Sequence, residues 1–310
     1  MNFPTEIQGE RIAAAVERDG ICVAPRLLSP EMIDEIWREG EALWADPPPF
    51  AKFQPNITRP SFIANVVPAR VTRHRGWDKV PTYNRIMNVP AIKAAADLYL
   101  GPGWGTTNFI YHRSVGTAEE LFSLHFDVFD RRRSLKAYVY LTACDRENGA
   151  FRYIPRSHRI VRALFGLAER GEIPKALLEA ENKLHDLLTL LDQHPSVADS
   201  PELAGCRDLL RRLEDAPDES YDYIVPGPAG TVVIFDPAGL HGGGKLHRGE
   251  RYISRYHFVD SVYVFRNLPD QLSPAKRLLW QVGVRIPNAA RRRVQSLRGA
   301  AMATPREDGL

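Results

Sequence analysis

At 310 residues, with 44% hydrophobic and 25% charged content, the chain is globular and long enough to bury a full core as one large domain. A formal net charge of +3 is too small for this length to favour nucleic acid or an anionic membrane, so any electrostatic specificity must be local. Cys22, Cys144 and Cys206 form neither a Cys-x-x-Cys pair nor an even-numbered disulfide framework, and no signal peptide or membrane span is visible, so a reducing, cytoplasmic setting is expected.

In chain order, helical spacing in IAAAVERDG ends on Gly20, ICVAP reads as a strand, and Ser29-Pro30 opens the helix EMIDEIWREGEALW. Residues 47 to 85 are rich in proline and read as a long irregular segment. From about Thr106 the period changes to two, in TTNFIYHR, FSLHFDVF and SLKAYVYLTA, each bounded by turn or charged residues. Residues 160 to about 218 interrupt the strands with helical text, ALFGLAERG, IPKALLEAENKLHDLLTLLDQ and PELAGCRDLLRRLEDA. Strands resume in YDYIVPGPAGTVVIFD and RYISRYHFVDSVYVF, and a basic helical tail follows from Ser273. The pattern predicts a mainly β sandwich with flanking helices and a helical insertion.

The chemistry concentrates in LHFDVF. Alternation places Leu124, Phe126 and Val128 on one face and His125 and Asp127 on the other. Two ligands one residue apart on a strand can reach the same ion, and a second histidine would complete a facial triad of two histidines and a carboxylate, the donor set of non-haem Fe(II). His-x-Asp alone is a weak signal. His241 strengthens it, because it follows the strand GTVVIFD and precedes three glycines, Gly242 to Gly244, expected to turn the backbone tightly. In the next strand Arg251, Ile253, Arg255 and His257 share one face. An arginine turned into a sandwich is costly unless it meets an anion, and a dicarboxylate suits its two-pronged guanidinium.

These segments resemble the phytanoyl-CoA dioxygenase family of Fe(II)/2-oxoglutarate-dependent oxygenases. The resemblance runs through DGICVAPRLLSPEMIDEI, HFD, LTACDRENGAFRYIPRSHR and GTVVIFD to RYISRYHF. It implies a double-stranded β-helix, the jelly roll also used by cupins, in one oxygenase domain over 1–310. The jelly-roll core would span about 106–159 and 219–266, the insertion about 160–218 and a helical tail 267–310. Position by position it puts His125, Asp127 and His241 on the iron ligands and Arg251 on the arginine that grips 2-oxoglutarate. Tyr138, Asn108, His112 and Phe122 fall on co-substrate contacts. Arg156 stands where the family usually has glycine. The loop after His241 is about one residue short, which leaves Arg255 as the alternative to Arg251.

The implied cofactors are Fe(II), 2-oxoglutarate as co-substrate, and dioxygen. The implied reaction is oxidation of an unactivated C–H bond in a small metabolite, such as a natural-product intermediate. Hydroxylation is the default outcome, and desaturation or ring closure can start from the same chemistry. A radical halogenase would need a small residue where Asp127 stands, and a non-catalytic ligand-binding jelly roll would need no triad. The expected partner is a small-molecule substrate, with no nucleic acid and no membrane, for a monomer or homodimer. Simpler roles suit other residues: His74, His185, His194 and His247 read as surface histidines, His158 as a structural hydrogen bonder, and His257 as core or site wall. The 160–218 insertion reads as a substrate lid or as a packing element.

Overall fold

The computed structural model describes residues 5–45, 51–52, 61–62, 85–86, 88–115, 122–127, 133–174, 182–198 and 204–260. Most of the proline-rich segment and everything after residue 260, including the basic tail, lie outside the described residues.

Helix α1 (Thr5–Asp19) buries Ile12 and Val16 and ends where Gly20, at φ 82, turns the chain into β1 (Ile21–Ala24). Glycine takes this left-handed conformation without steric cost. Helix α2 (Pro30–Ala45) starts with proline in its first turn, and the Ser29 hydroxyl accepts the Met32 amide at 3.3 Å. After the two-residue strands β2 (Ala51–Lys52) and β3 (Ser61–Phe62) comes α3 (Pro90–Leu100). Its apolar spacing in AIKAAADLYL was legible, and the helix was not anticipated.

The remaining strands are β4 (Gly105–Val115), β5 (Phe122–Phe126), β6 (Ser134–Tyr140), β7 (Phe151–Tyr153), β8 (Asn182–Lys183), β9 (Ile224–Val225), β10 (Val232–Phe235), β11 (His241–Gly243) and β12 (Glu250–Val259). They build two five-stranded antiparallel sheets, a larger one ordered β1-β10-β6-β12-β4 and a smaller one of shorter strands ordered β8-β5-β11-β7-β9. This is the jelly roll, mainly antiparallel sheet with flanking helices.

Each sheet separates two environments. On β12, Tyr252, Tyr256 and Phe258 join Ile36, Ile92 and Ala96 in a core under the N-terminal helices. The alternate residues turn inward, and Ile253 packs with Tyr140, Phe151, Tyr153, Val233 and Phe235 between the sheets. The insertion brings α4 (Ser157–Glu169), α5 (Leu184–Gln193), the single turn α6 (Pro195–Ala198), α7 (Ala204–Asp215) and a 3-10 helix (Pro217–Tyr223). Leu164, Leu187, Leu191 and Leu210 of these helices cover Phe126 and Leu240, on the outer side of the smaller sheet. The short strand β8 extends that sheet beside β5, pairing Lys183 with His125.

Candidate metal centre

The centre is built on one cross-strand pair. β11 runs antiparallel to β5 with His241 directly opposite His125, a position at which two side chains project to the same face. Their rings lie 4.6 Å apart. Asp127 is the first residue beyond β5, and its amide donates to the Pro237 carbonyl at 2.9 Å, which ties it to the turn before β11. His125 Nε2 is 4.0 Å from Asp127 Oδ1, and His241 Nε2 is 3.3 Å from Asp127 Oδ2.

Donor atoms of His125, Asp127 and His241 all lie within 4.8 Å of one another. Leu124 and Phe126 face the insertion helices, as alternation requires. The glycines after His241 behave otherwise than expected. Gly242 and Gly243 continue β11 in extended form, and none of Gly242, Gly243 and Gly244 has positive φ. Gly244 instead allows close approach, because a side chain there would press on the Ala150 carbonyl.

The residues present fit a divalent metal. His241 Nδ1 is 2.7 Å from the Gly239 carbonyl; a carbonyl only accepts, so Nδ1 carries the proton and Nε2 keeps its lone pair toward Asp127. Burial, partly opposed by Asp127, lowers the His241 pKa to about 4, so the ring is neutral near pH 7 and able to ligate. For Asp127, burial would raise the pKa, but Lys136 and His241 outweigh it and hold the carboxyl well below its usual range. Lys136 is buried and donates to Asp127 Oδ2. Burial pulls the Lys136 ammonium down to about 8 against the opposing pull of Asp127.

Lys136 was missed in the sequence, although SLKAYVY sets it on the same face as Tyr138. Phe151 and Phe235, also missed, wall the centre, with rings 5.8 and 5.1 Å from His241. Asp236 closes β10 and has a structural role. It accepts from Tyr99 Oη at 2.5 Å, from Arg162 and from the Ala238 amide at 2.8 Å, and so holds the turn that delivers His241.

The other expected site residues divide. Arg251 is 4% exposed on the inner face of β12, donates from Nη1 to the Gly149 carbonyl at 2.5 Å, and has a buried Nε with no hydrogen-bond partner. Arg255 is partly buried on the same face, and its Nε is likewise buried without a partner. Tyr138, opposite Arg255, has its ring tilted 4.8 Å from that of Phe151 and edge-on 5.1 Å from that of Phe235. His112 is buried opposite Ile253, and burial together with Arg255 and Arg251 pushes its pKa well down. The side chains of Asn108 and Phe122 lie outside the described residues, although their backbones pair with His257 and Gly243. His158 is buried with Nε2 3.3 Å from the Glu17 carbonyl, a structural contact. His257 lines the inner face and is 1% exposed.

Comparison with solved structures finds the same fold. EctD from S. alaskensis with bound Fe is 16% identical, with a TM-score of 0.52 over 81% of this chain and 76% of that one. The epimerase SnoN in complex with Fe3+, alpha ketoglutarate and nogalamycin RO is 16% identical, with a TM-score of 0.51 over 82% and 84%. At these identities the likeness is one of fold. No protein of curated function matches the chain by sequence. The family described as phytanoyl-CoA dioxygenase (PhyH) matches residues 16–249, most of the chain, and the protein therefore belongs to that family of Fe(II)/2-oxoglutarate-dependent oxygenases.

Proposed function

We propose that the protein hydroxylates an unactivated C–H bond of a small molecule, with Fe(II) held by His125, Asp127 and His241 and with 2-oxoglutarate anchored by Arg251. The observation that carries this reading is the convergence of the three donor sets within 4.8 Å of one another on one face of one sheet. Two imidazoles and one carboxylate leave coordination positions for co-substrate and dioxygen. Bound iron supplies activation of dioxygen coupled to decarboxylation of 2-oxoglutarate to succinate, and with it the power to oxidise a C–H bond.

The chain's own residues orient and enclose. Gly239 fixes the His241 tautomer, Lys136 holds one oxygen of Asp127, and Phe151 and Phe235 keep water from the histidine side. Arg251 keeps donors beyond the one spent on Gly149, and these suit a planar carboxylate. Asp127 favours oxygen transfer over halogenation, which needs a position that its carboxylate occupies. Desaturation and ring closure remain readings of the same centre. We also treat the chain as one oxygenase domain, with the insertion as a cover for the smaller sheet.

Anaerobic titration with Fe(II) tests the centre. Wild type should bind one equivalent, and His125→Ala or His241→Ala, each removing one of three protein ligands, should weaken binding by more than the roughly hundredfold that loss of an outer partner costs, with an unchanged circular dichroism spectrum. Full metal affinity in either variant would remove the triad. Turnover in chloride buffer should then give products that mass spectrometry shows to contain new oxygen and no chlorine.

A further inference from the structure

Among the described residues, the inner face of the larger sheet carries two arginines, Arg251 and Arg255, where one dicarboxylate needs a single grip. By register, Arg251, Arg255 and His257 of β12 lie on the same face as Lys136 and Tyr138 of β6 and as His112 of β4. Among the described residues, the inward positions of β4, β6, β10 and β12 include no aspartate or glutamate. From the other sheet's side Asp127 faces them, and it is already paired with Lys136.

Adding the metal and the co-substrate does not remove the excess. Fe(II) carries two positive charges and 2-oxoglutarate two negative ones, so their joint arrival leaves the protein's own balance unchanged. Arg251 can be assigned to the far carboxylate of 2-oxoglutarate. Arg255 is left with a buried, unpartnered Nε and no ion pair among the described residues. A buried guanidinium N–H left without an acceptor is costly, and an anion would supply one.

The position of Arg255 says where that anion would sit. The two arginines are four positions apart on the strand, about 13 Å along β12. Arg251 turns to Gly149, in the loop before β7. Arg255 instead sits opposite Tyr138 on β6, one inward position from Lys136, which donates to Asp127. It therefore lies on the metal side of Arg251 along β12, toward where the substrate's target carbon must be placed.

We infer that Arg255 is the substrate anchor of this protein, and that the prime substrate carries an anionic group, a carboxylate or a sulfate or phosphate ester, which the Arg255 guanidinium binds beside the metal centre. The inference deepens the Fe(II)/2-oxoglutarate reading and rests on it. It makes Arg255 a specificity residue in its own right, separate from the co-substrate grip.

The test loads the full-length protein anaerobically with Fe(II) and excess 2-oxoglutarate and follows the visible charge-transfer absorption of the chelate. Acetate, sulfate and phosphate are then titrated separately into the loaded complex by calorimetry. Wild type should bind one equivalent of at least one of them. Preference for acetate identifies a carboxylate substrate, and preference for sulfate or phosphate identifies an ester.

Arg255→Gln should keep the absorption and weaken anion binding tenfold or more, whereas Arg251→Gln should lose the absorption. Arg255→Lys, which keeps charge without the fork, serves if the glutamine variant does not fold, and should weaken anion binding at least threefold. Anion affinity that is absent in wild type, or unchanged in a folded Arg255 variant, overturns the inference. So does loss of the absorption on changing Arg255 but not Arg251, because Arg255 would then be the co-substrate anchor. If wild type never develops the absorption, the Fe(II)/2-oxoglutarate reading fails first and the inference falls with it.

Discussion

Arg156 is a residue in a place made for glycine. It precedes α4 with φ 69 and ψ −10, a left-handed conformation that costs a side-chain-bearing residue about 1–2 kcal/mol. The turn holds nonetheless, because the Arg156 amide donates to the Asp19 carbonyl at 2.9 Å and the Ser157 hydroxyl to the Ile154 carbonyl at 2.6 Å. Glycine would remove the steric cost but add freedom to the unfolded chain, an opposing contribution of about 0.4–1 kcal/mol. Arg156→Gly should therefore raise unfolding stability by up to about 1 kcal/mol, read as a higher urea midpoint at unchanged slope. A lower midpoint would mean that the Arg156 side chain contributes more than the backbone loses. The departure from the family's glycine was plain in IPRSHR. Its outcome was not, because sequence shows which residue replaces glycine and not which neighbours hold the turn.

The turn between β10 and β11 carries the centre's most exacting packing. Gly239 lies against the hydroxyl of the buried Tyr153, where a methyl group would overlap it, and its carbonyl orients His241. Gly239→Ala should cost about 1–3 kcal/mol by overpacking. It should also weaken Fe(II) binding, which separates it from overpacking remote from the centre. Thermal unfolding and metal titration on one preparation check both, and unchanged metal affinity in the destabilised variant would dissociate the turn from the ligand. Alternation in LHFDVF was enough to put His125 and Asp127 on the chemical face, since period two admits one other register and that register buries both. The glycines after His241 were harder to read. Glycine serves turns and close approaches alike, and the choice depends on Ala150, more than ninety positions earlier in the sequence. Lys136 was obscured for a related reason: its partner Asp127 belongs to the other sheet.

Across the whole molecule, buried neutral histidines set the response to acid. Burial is the leading cause that pushes His112, His241 and His257 below the ordinary histidine value of 6.5. The unfolded chain takes up these protons near 6.5 while the folded protein resists them, so the metal-free protein loses stability as pH falls below 6.5. For His241 the loss ends near pH 4, where the folded form also protonates, and amounts to something on the order of 3 kcal/mol. Asp127 adds a loss of the same sign at lower pH, because its folded pKa is depressed. Urea unfolding of metal-free protein at successive pH values should show the decline, and a flat profile would contradict it. The sandwich was readable along the chain because its strands are short and alternate cleanly. The order of strands in each sheet was not, because pairings such as β5 with β11 join positions more than a hundred residues apart. That order has a mechanical consequence. His125 and His241 belong to the smaller sheet and Asp127 follows directly on its strand β5, while Arg251 and Arg255 project from the larger one. Sliding one sheet over the other would change the span between the two groups and leave each group internally rigid. If 2-oxoglutarate is held between the centre and Arg251 as proposed, the sandwich would work as a caliper, and a dicarboxylate one carbon longer or shorter should compete poorly for it.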